Sequence, residues 1–153
     1  YNDPIRNGVS RDDERGIHAG RARGGVVNHE IRTGGVYRIC KTFTFCASHR
    51  LGRMPTGHKC KNLHGHNYKV EVVLESPTIC DDLGMFADFA DLDIFGKWLN
   101  TMYDHKHIND VLTGLHPTAE VLAKHFFDHI SDRLPVVRVR VWETDKCWAE
   151  YEA

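Results

Sequence analysis

The chain has 153 residues, which fits one folded domain with a core of its own and leaves little room for a second. Its 20 lysines and arginines nearly cancel its 21 aspartates and glutamates, so no global field recruits nucleic acid or an anionic membrane, although a local basic patch stays open. No apolar run approaches the roughly 18 residues of a membrane span, and the N-terminus lacks the apolar core of a signal peptide, so the sequence reads as a soluble cytoplasmic protein.

The five cysteines, Cys40, Cys46, Cys60, Cys80 and Cys147, are odd in number and form no C-x-x-C pair. This argues against a disulfide framework and for a reducing compartment. Eleven histidines, several of them clustered, raise the prior for metal chemistry.

Residues 1–35 hold seven of the thirteen glycines, with mixed charge and no apolar stripe. They read as a glycine- and arginine-rich arm ahead of a domain spanning 36–153. From Tyr37, "YRICKTFTFCASHRL" alternates Ile39, Phe43, Phe45 and Ala47 against Arg38, Thr42 and Thr44, which predicts a strand. A second strand is predicted from Asn67, with Tyr68, Val70, Val72 and Leu74 on one face, and the two are expected to pair antiparallel. "SPTICDDLG" breaks the alternation. A helix then opens near Asp91 with Leu92, Phe95, Leu99 and Met102 as its stripe. "YDHKHIND" reads as a loop. A second helix starts at Pro117 and Thr118, buries Leu122, Phe126 and Ile130, and ends at Pro135. "VVRVRVWE" and "CWAEYE" form two closing strands around a "TDK" turn. The order predicts an α+β fold with helices on one face of the sheet.

"KCKNLHGHNYKVEV", residues 59–72, puts a thiol and two imidazoles at the mouth of the second strand. Alternate strand residues share a face, so His64 and His66 present their rings side by side, and antiparallel pairing would bring His49 near His64. Three neutral histidines with a fourth position open suit a catalytic zinc site. Two alternatives stay open at this level: a turn with solvated imidazoles, or a closed structural site in which Cys60 or Cys46 supplies a fourth ligand. Glu143 continues the parity of Val137, Val139 and Val141 and is expected to point inward. Such a carboxylate needs an arginine, a lysine or a ligand with two parallel N–H groups. Asp104, His105, His107 and Asp110 gather in "YDHKHIND", where a carboxylate can fix an imidazole tautomer. Thr118 and Glu120 in "PTAE" suit helix capping.

"FTFCASHRL", "CKNLHGHNYKVEV", "FADFADL", "DHKHIND", "PTAE" and "VRVWET" follow one another as in the 6-pyruvoyl-tetrahydropterin synthase and 6-carboxytetrahydropterin synthase family, which the chain resembles from about Tyr37 to Tyr151. The resemblance implies a tunnelling fold (T-fold). In that fold a four-stranded antiparallel sheet with two helices on one face oligomerises into a β-barrel, as a hexamer, with active sites between subunits. It implies Zn2+ on His49, His64 and His66, with Cys60 moving protons at the substrate side chain, aided by Asp104 and His105. It implies Glu143 as the pterin anchor, Thr118 and Glu120 beside the pterin, and 7,8-dihydroneopterin triphosphate as substrate. Lys106, Lys59 and Arg53 are candidate cations for the phosphates.

The three residues between Cys60 and His64 resemble the short form of the bacterial carboxy branch, whose product enters deazapurine and queuosine biosynthesis. The alternatives are the pyruvoyl branch, a zinc hydrolase using the same histidines without Cys60, and a non-catalytic pterin- or nucleic-acid-binding oligomer. Cys60 disfavours the branch that carries glutamate in its place.

Overall fold

The computed structural model describes residues 30–80 and 82–153, so most of the arm expected at 1–35 lies outside the described residues. The first strand, β1 (Glu30–His49), pairs antiparallel with β2 (His64–Cys80) in a register that sets Phe43 opposite Val70, Phe45 opposite Tyr68 and His49 opposite His64. The expected boundary near residue 35 therefore falls inside β1.

After β2 come α1 (Asp93–Tyr103), the two-residue strand β3 (Lys106–His107), α2 (Ile108–Val111) and α3 (Ala119–Ser131). The chain closes with β4 (Val136–Thr144) and β5 (Cys147–Glu152). The sheet runs β3-β1-β2-β4-β5, antiparallel except for β3, which lies parallel to β1 at Ala47 and Ser48. The four antiparallel strands are those the alternation predicted. β3 and α2 are additions, formed where "YDHKHIND" was expected to be loop, and a two-residue strand is too short to carry a periodic signal.

One face of the sheet carries the core. Phe45, Tyr68, Val70, Val72, Leu74, Val139 and Val141 meet Phe95, Leu99, Tyr103, Leu122, Phe126 and Ile130 from the helices, and all of them are buried. Phe45 stacks on Tyr68 at 4.8 Å between ring centroids and meets Phe126 edge-on at 6.1 Å. Such packing adds to the burial of the ring surfaces themselves. A turn of 3-10 helix at Phe89–Leu92 precedes α1, closed by a capping box in which Asp88 accepts from the main chain and Asp91 answers it.

Three local expectations are corrected by the backbone. Met102 is 41% exposed, and Tyr103, one helical turn beyond Leu99, takes the buried position instead. The alternation through β4 is interrupted by a bulge at Val137: Val73 pairs with Arg138 and Leu74 with Val136, so Val136 enters the core and Val137 stays half-buried. The break expected at "SPTIC" does not end β2, which continues to Cys80. Pro77 sits where the β1–β2 register shifts, between the Tyr37–Ser76 and Arg32–Thr78 pairs, and a residue without an N–H is tolerated there.

Gly96 is required for α1 to lie this close to β1. A Cβ at this position would sit 2.8 Å from the Phe43 ring, which is itself held edge-on to Phe95 at 5.2 Å. Alanine gains ~1 kcal/mol over glycine in a helix interior, whereas overpacking costs ~1–3 kcal/mol. Gly96→Ala is therefore expected to lower stability in urea unfolding, and an increase would show that the contact yields freely.

Candidate metal centre

The β1–β2 register brings His49, at the end of β1, opposite His64, at the start of β2, with His66 one pleat further along. The ligand atoms of these three side chains all lie within 4.8 Å of one another. Neither Cys46 nor Cys60 belongs to that group. Cys46 points its thiol at Asn67 Oδ1, 3.1 Å away, from the opposite parity of the strand. The expected trio is thus assembled, and the closed site with a cysteine as fourth ligand is not formed.

The ring tautomers follow from their partners. His49 is fully buried, and its Nδ1 lies 2.9 Å from the carbonyl oxygen of Pro117; His64 Nδ1 lies 2.8 Å from the carbonyl oxygen of Asn62. A carbonyl can only accept, so each Nδ1 carries the proton and donates it. The two Nε2 atoms, 3.1 Å apart, then face each other as lone pairs. Burial, the largest influence, together with the neighbouring His64 and His66, brings His49 down from the usual 6.5 to about 4, so its ring is neutral at neutral pH. His66 Nε2 is also buried without a partner. Burial lowers the His66 pKa as well, with the Glu143 carboxylate opposing. Two facing lone pairs and a third buried ring nitrogen without a partner are costly on their own, and one divalent cation satisfies all three. The residues fit a metal of the zinc type, to which imidazole is suited.

Glu143, at the end of β4, places its carboxylate 3.9 Å from His49 Nε2. Among the described residues it has no lysine or arginine partner, which leaves the carboxylate beside the cluster available to a ligand. It is 27% exposed at the side chain, so it borders the site more than it points into the core as expected. Tyr68 lies under the imidazoles, 5.4 Å from His66 by ring centroids, with its hydroxyl buried and unpartnered. Burial, followed by the Glu143 charge, raises its pKa.

The start of α3 serves two purposes. Thr118 caps the helix by accepting from the Val121 N–H at 3.4 Å, and Glu120 is held below the usual carboxylate range chiefly by a hydrogen bond with the Thr118 side chain. The preceding residue, Pro117, supplies the carbonyl that orients His49. Outer partners of this kind fix ligand direction and typically influence metal affinity by ~10–100-fold. Sequence reasoning noted "PTAE" but missed this contact, whose signal lies in a main-chain atom that any residue type would supply.

Cys60 sits half-buried in a turn of 3-10 helix at Lys59–Lys61, and its carbonyl accepts from the Leu51 N–H at 2.8 Å, two residues past His49. The thiol is therefore carried by a segment tied to the metal strand without joining the ligands. Asp104 and His105 lie elsewhere. Asp104 accepts from the Cys46 N–H at 2.9 Å and pairs with His105 Nδ1 at 2.9 Å. These contacts, the Cys46 N–H first, hold its carboxyl below the usual range. They line a cleft of about 560 Å3 with Thr44, Cys46, Asn67 and Lys69, side chains of opposite parity to the three imidazoles. His105 is 79% exposed at the side chain and has a φ of 57°, a strained conformation of the kind that collects at functional sites. Within one chain the direct bonds of the pair run to Cys46 and to each other, and His105 borders a cleft of about 550 Å3 whose wall also includes His66.

Elemental analysis of the purified chain is expected to give about one equivalent of divalent metal. His66→Ala is expected to remove it and Cys60→Ala to leave it in place. Loss of metal in the cysteine variant would contradict the three-imidazole assignment.

A family model described as 6-pyruvoyl tetrahydropterin synthase matches residues 38–153. The 6-carboxy-5,6,7,8-tetrahydropterin synthase of Aquifex aeolicus is 31% identical, over 76% of this chain and 98% of the relative. The protein of the same name from Haemophilus influenzae is 30% identical over 76% and 99%. The 6-pyruvoyl tetrahydrobiopterin synthase of Dictyostelium discoideum is 33% identical over 61% and 73%. The solved structure of Caenorhabditis elegans 6-pyruvoyl tetrahydropterin synthase has the same fold, with a TM-score of 0.69 and 23% identity over 78% of this chain and 96% of that one. Together with the histidine cluster and the sheet that builds it, these matches make the chain a member of the 6-pyruvoyl tetrahydropterin synthase family.

Proposed function

We propose that the protein is a zinc-dependent 6-carboxy-5,6,7,8-tetrahydropterin synthase. It would convert 7,8-dihydroneopterin triphosphate and water to 6-carboxytetrahydropterin, acetaldehyde and triphosphate in a cytoplasmic route to deazapurines such as queuosine. The carrying observation is the convergence of three unpartnered imidazole nitrogens beside the unpaired carboxylate of Glu143. The names of the Aquifex and Haemophilus relatives support the carboxy branch, as does the short spacing between Cys60 and His64.

In this reading Glu143 accepts two parallel N–H groups from the pyrimidine edge of the pterin, and the start of α3, with Thr118 and Glu120, borders the ring. His49, His64 and His66 hold Zn2+, which when bound supplies Lewis acidity toward the side-chain hydroxyls. Cys60 takes and returns protons at the carbon side chain as a thiolate. Asp104 fixes His105 with Nδ1 toward the carboxylate, which frees Nε2 to exchange a proton with substrate.

The lack of a direct bond between the Asp104–His105 pair and the imidazole cluster in one chain is compatible with a homo-oligomer, a hexamer in this reading, with the pair reaching the metal site of another copy. Within such an assembly the exposed His105 would be covered by substrate or by a neighbouring subunit.

Product analysis from 7,8-dihydroneopterin triphosphate tests the branch. Acetaldehyde with a carboxypterin is expected, and a pyruvoyl product would move the protein to the other branch, to which the Dictyostelium relative belongs by name. Cys60→Ala is expected to lower kcat/KM by about 10²–10⁴, the usual contribution of a positioned acid-base group. Mixed oligomers of Cys60→Ala and His105→Ala chains are expected to recover activity that neither variant has alone. No recovery on mixing would contradict a site shared between copies.

A further inference from the structure

A cleft of about 430 Å3, lined by Arg50, Gly52, Arg53, Lys61, Asn109, Leu115 and His116, has no acidic residue in its wall. Elsewhere on the described surface several cations are matched, Arg38 with Glu75, Lys41 with Asp93, Lys124 with Asp128, and Arg140 with Glu71 and Glu150, while Lys59, Lys97, Lys106, Arg133 and Lys146 are not, and none of these five lines the cleft. Arg50, Arg53 and Lys61 have no carboxylate partner among the described residues. Three like charges around one hollow repel one another, and an anion would relieve that repulsion.

The backbone under these charges is pinned. The Arg50 N–H donates to Asn109 Oδ1 at 2.9 Å, and Asn109 Nδ2 donates back to the Arg50 carbonyl at 3.0 Å. The Arg53 N–H donates to His116 Nε2 at 3.4 Å, and its guanidinium reaches the Gly114 carbonyl at 3.4 Å. The Lys61 N–H donates to the His58 carbonyl at 3.0 Å. A fixed main chain roots all three charged side chains around one hollow, which leaves only their own rotamers to be ordered on binding. Chain adjacency then fixes where the cleft lies. Arg50 follows the ligand His49, Lys61 follows Cys60, and His116 precedes Pro117, whose carbonyl orients His49.

We infer that this cleft binds linked phosphates, and that its occupant is the triphosphate tail of the substrate, with the guanidiniums of Arg50 and Arg53 and the ammonium of Lys61 as the contacting groups. Guanidinium offers paired donors to phosphate oxygens and ammonium a compact charge. The inference rests on the pterin triphosphate assignment for the identity of the tail, whereas oligophosphate binding by the cleft stands on the residues alone. Of the three cations considered from sequence, only Arg53 lines it.

Calorimetric titration of the metal-loaded full chain with inorganic tripolyphosphate tests the cleft, with metal content measured before and after so that chelation is recognised. Binding that weakens with salt is expected, at least ten-fold weaker in Arg53→Gln/Lys61→Gln. Lys61→Gln alone, which removes no side-chain contact of the fold, is expected to weaken it several-fold. Equal binding by wild type and both variants, or no binding by wild type, overturns the cleft. In steady-state assays the double variant is expected to raise KM for 7,8-dihydroneopterin triphosphate at least ten-fold. An unchanged KM alongside lost tripolyphosphate binding would overturn the tail as occupant. A wild-type chain that binds tripolyphosphate but does not turn over the pterin would defeat the proposed function and leave the cleft standing.

Discussion

The pairing register of β1 with β2 is the constraint on which the site depends. Side chains alternate across a sheet, so a slip of one residue would send His49 to the other face from His64 and His66 and turn the core positions outward with it. The register is held by the same ladder that buries Phe45 against Tyr68 and sets the partly buried Phe43 opposite Val70. Core packing and ligand convergence are therefore one structural fact. The imidazoles continue the apolar face of the sheet to its end, where burial lowers the pKa of His49 and His66 and leaves their rings open to a cation.

Polar groups are distributed around this face with little redundancy. Two main-chain carbonyls, from Asn62 and Pro117, occupy one nitrogen on each of two rings and so decide which nitrogen faces inward. Asn62 lies on the loop that carries Cys60, and Pro117 opens α3. Two of the imidazoles are thus oriented by these two segments, and Glu143 borders a third side of the cluster. A change in either loop would be transmitted to the rings through these bonds, and the coupling needs no long pathway. The charged cleft beyond Arg50 continues from the same loops, so ring, side chain and phosphates of one extended ligand could lie along a single stretch of surface.

Much of this was legible in the sequence because the elements are long and their periods clean. The strands around Phe45, Tyr68 and Val139 and the buried face of α3 follow directly from alternation and helical spacing. The three histidines followed from H-x-H parity plus an antiparallel partner. What escaped the sequence depended on single residues or on atoms without side-chain identity. The bulge at Val137 moves one valine out of the core without any change in composition. Tyr103 replaces Met102 because the helix advances 100° per residue and both residues are apolar enough to suit the stripe. β3 is too short to leave a pattern, yet its pairing with β1 anchors the segment that follows Asp104 and His105 on the side of β1 where the Cys46 N–H meets Asp104. Adjacency in "DHKH" carried no information about that side.

X-ray absorption at the metal edge of the purified protein tests the central claim most directly. The account predicts a first shell of nitrogen and oxygen at about 2.0–2.1 Å with the multiple scattering of three imidazoles and no sulfur. A sulfur shell near 2.3 Å, the distance of a zinc–thiolate bond, would contradict it, as would fewer than three imidazoles.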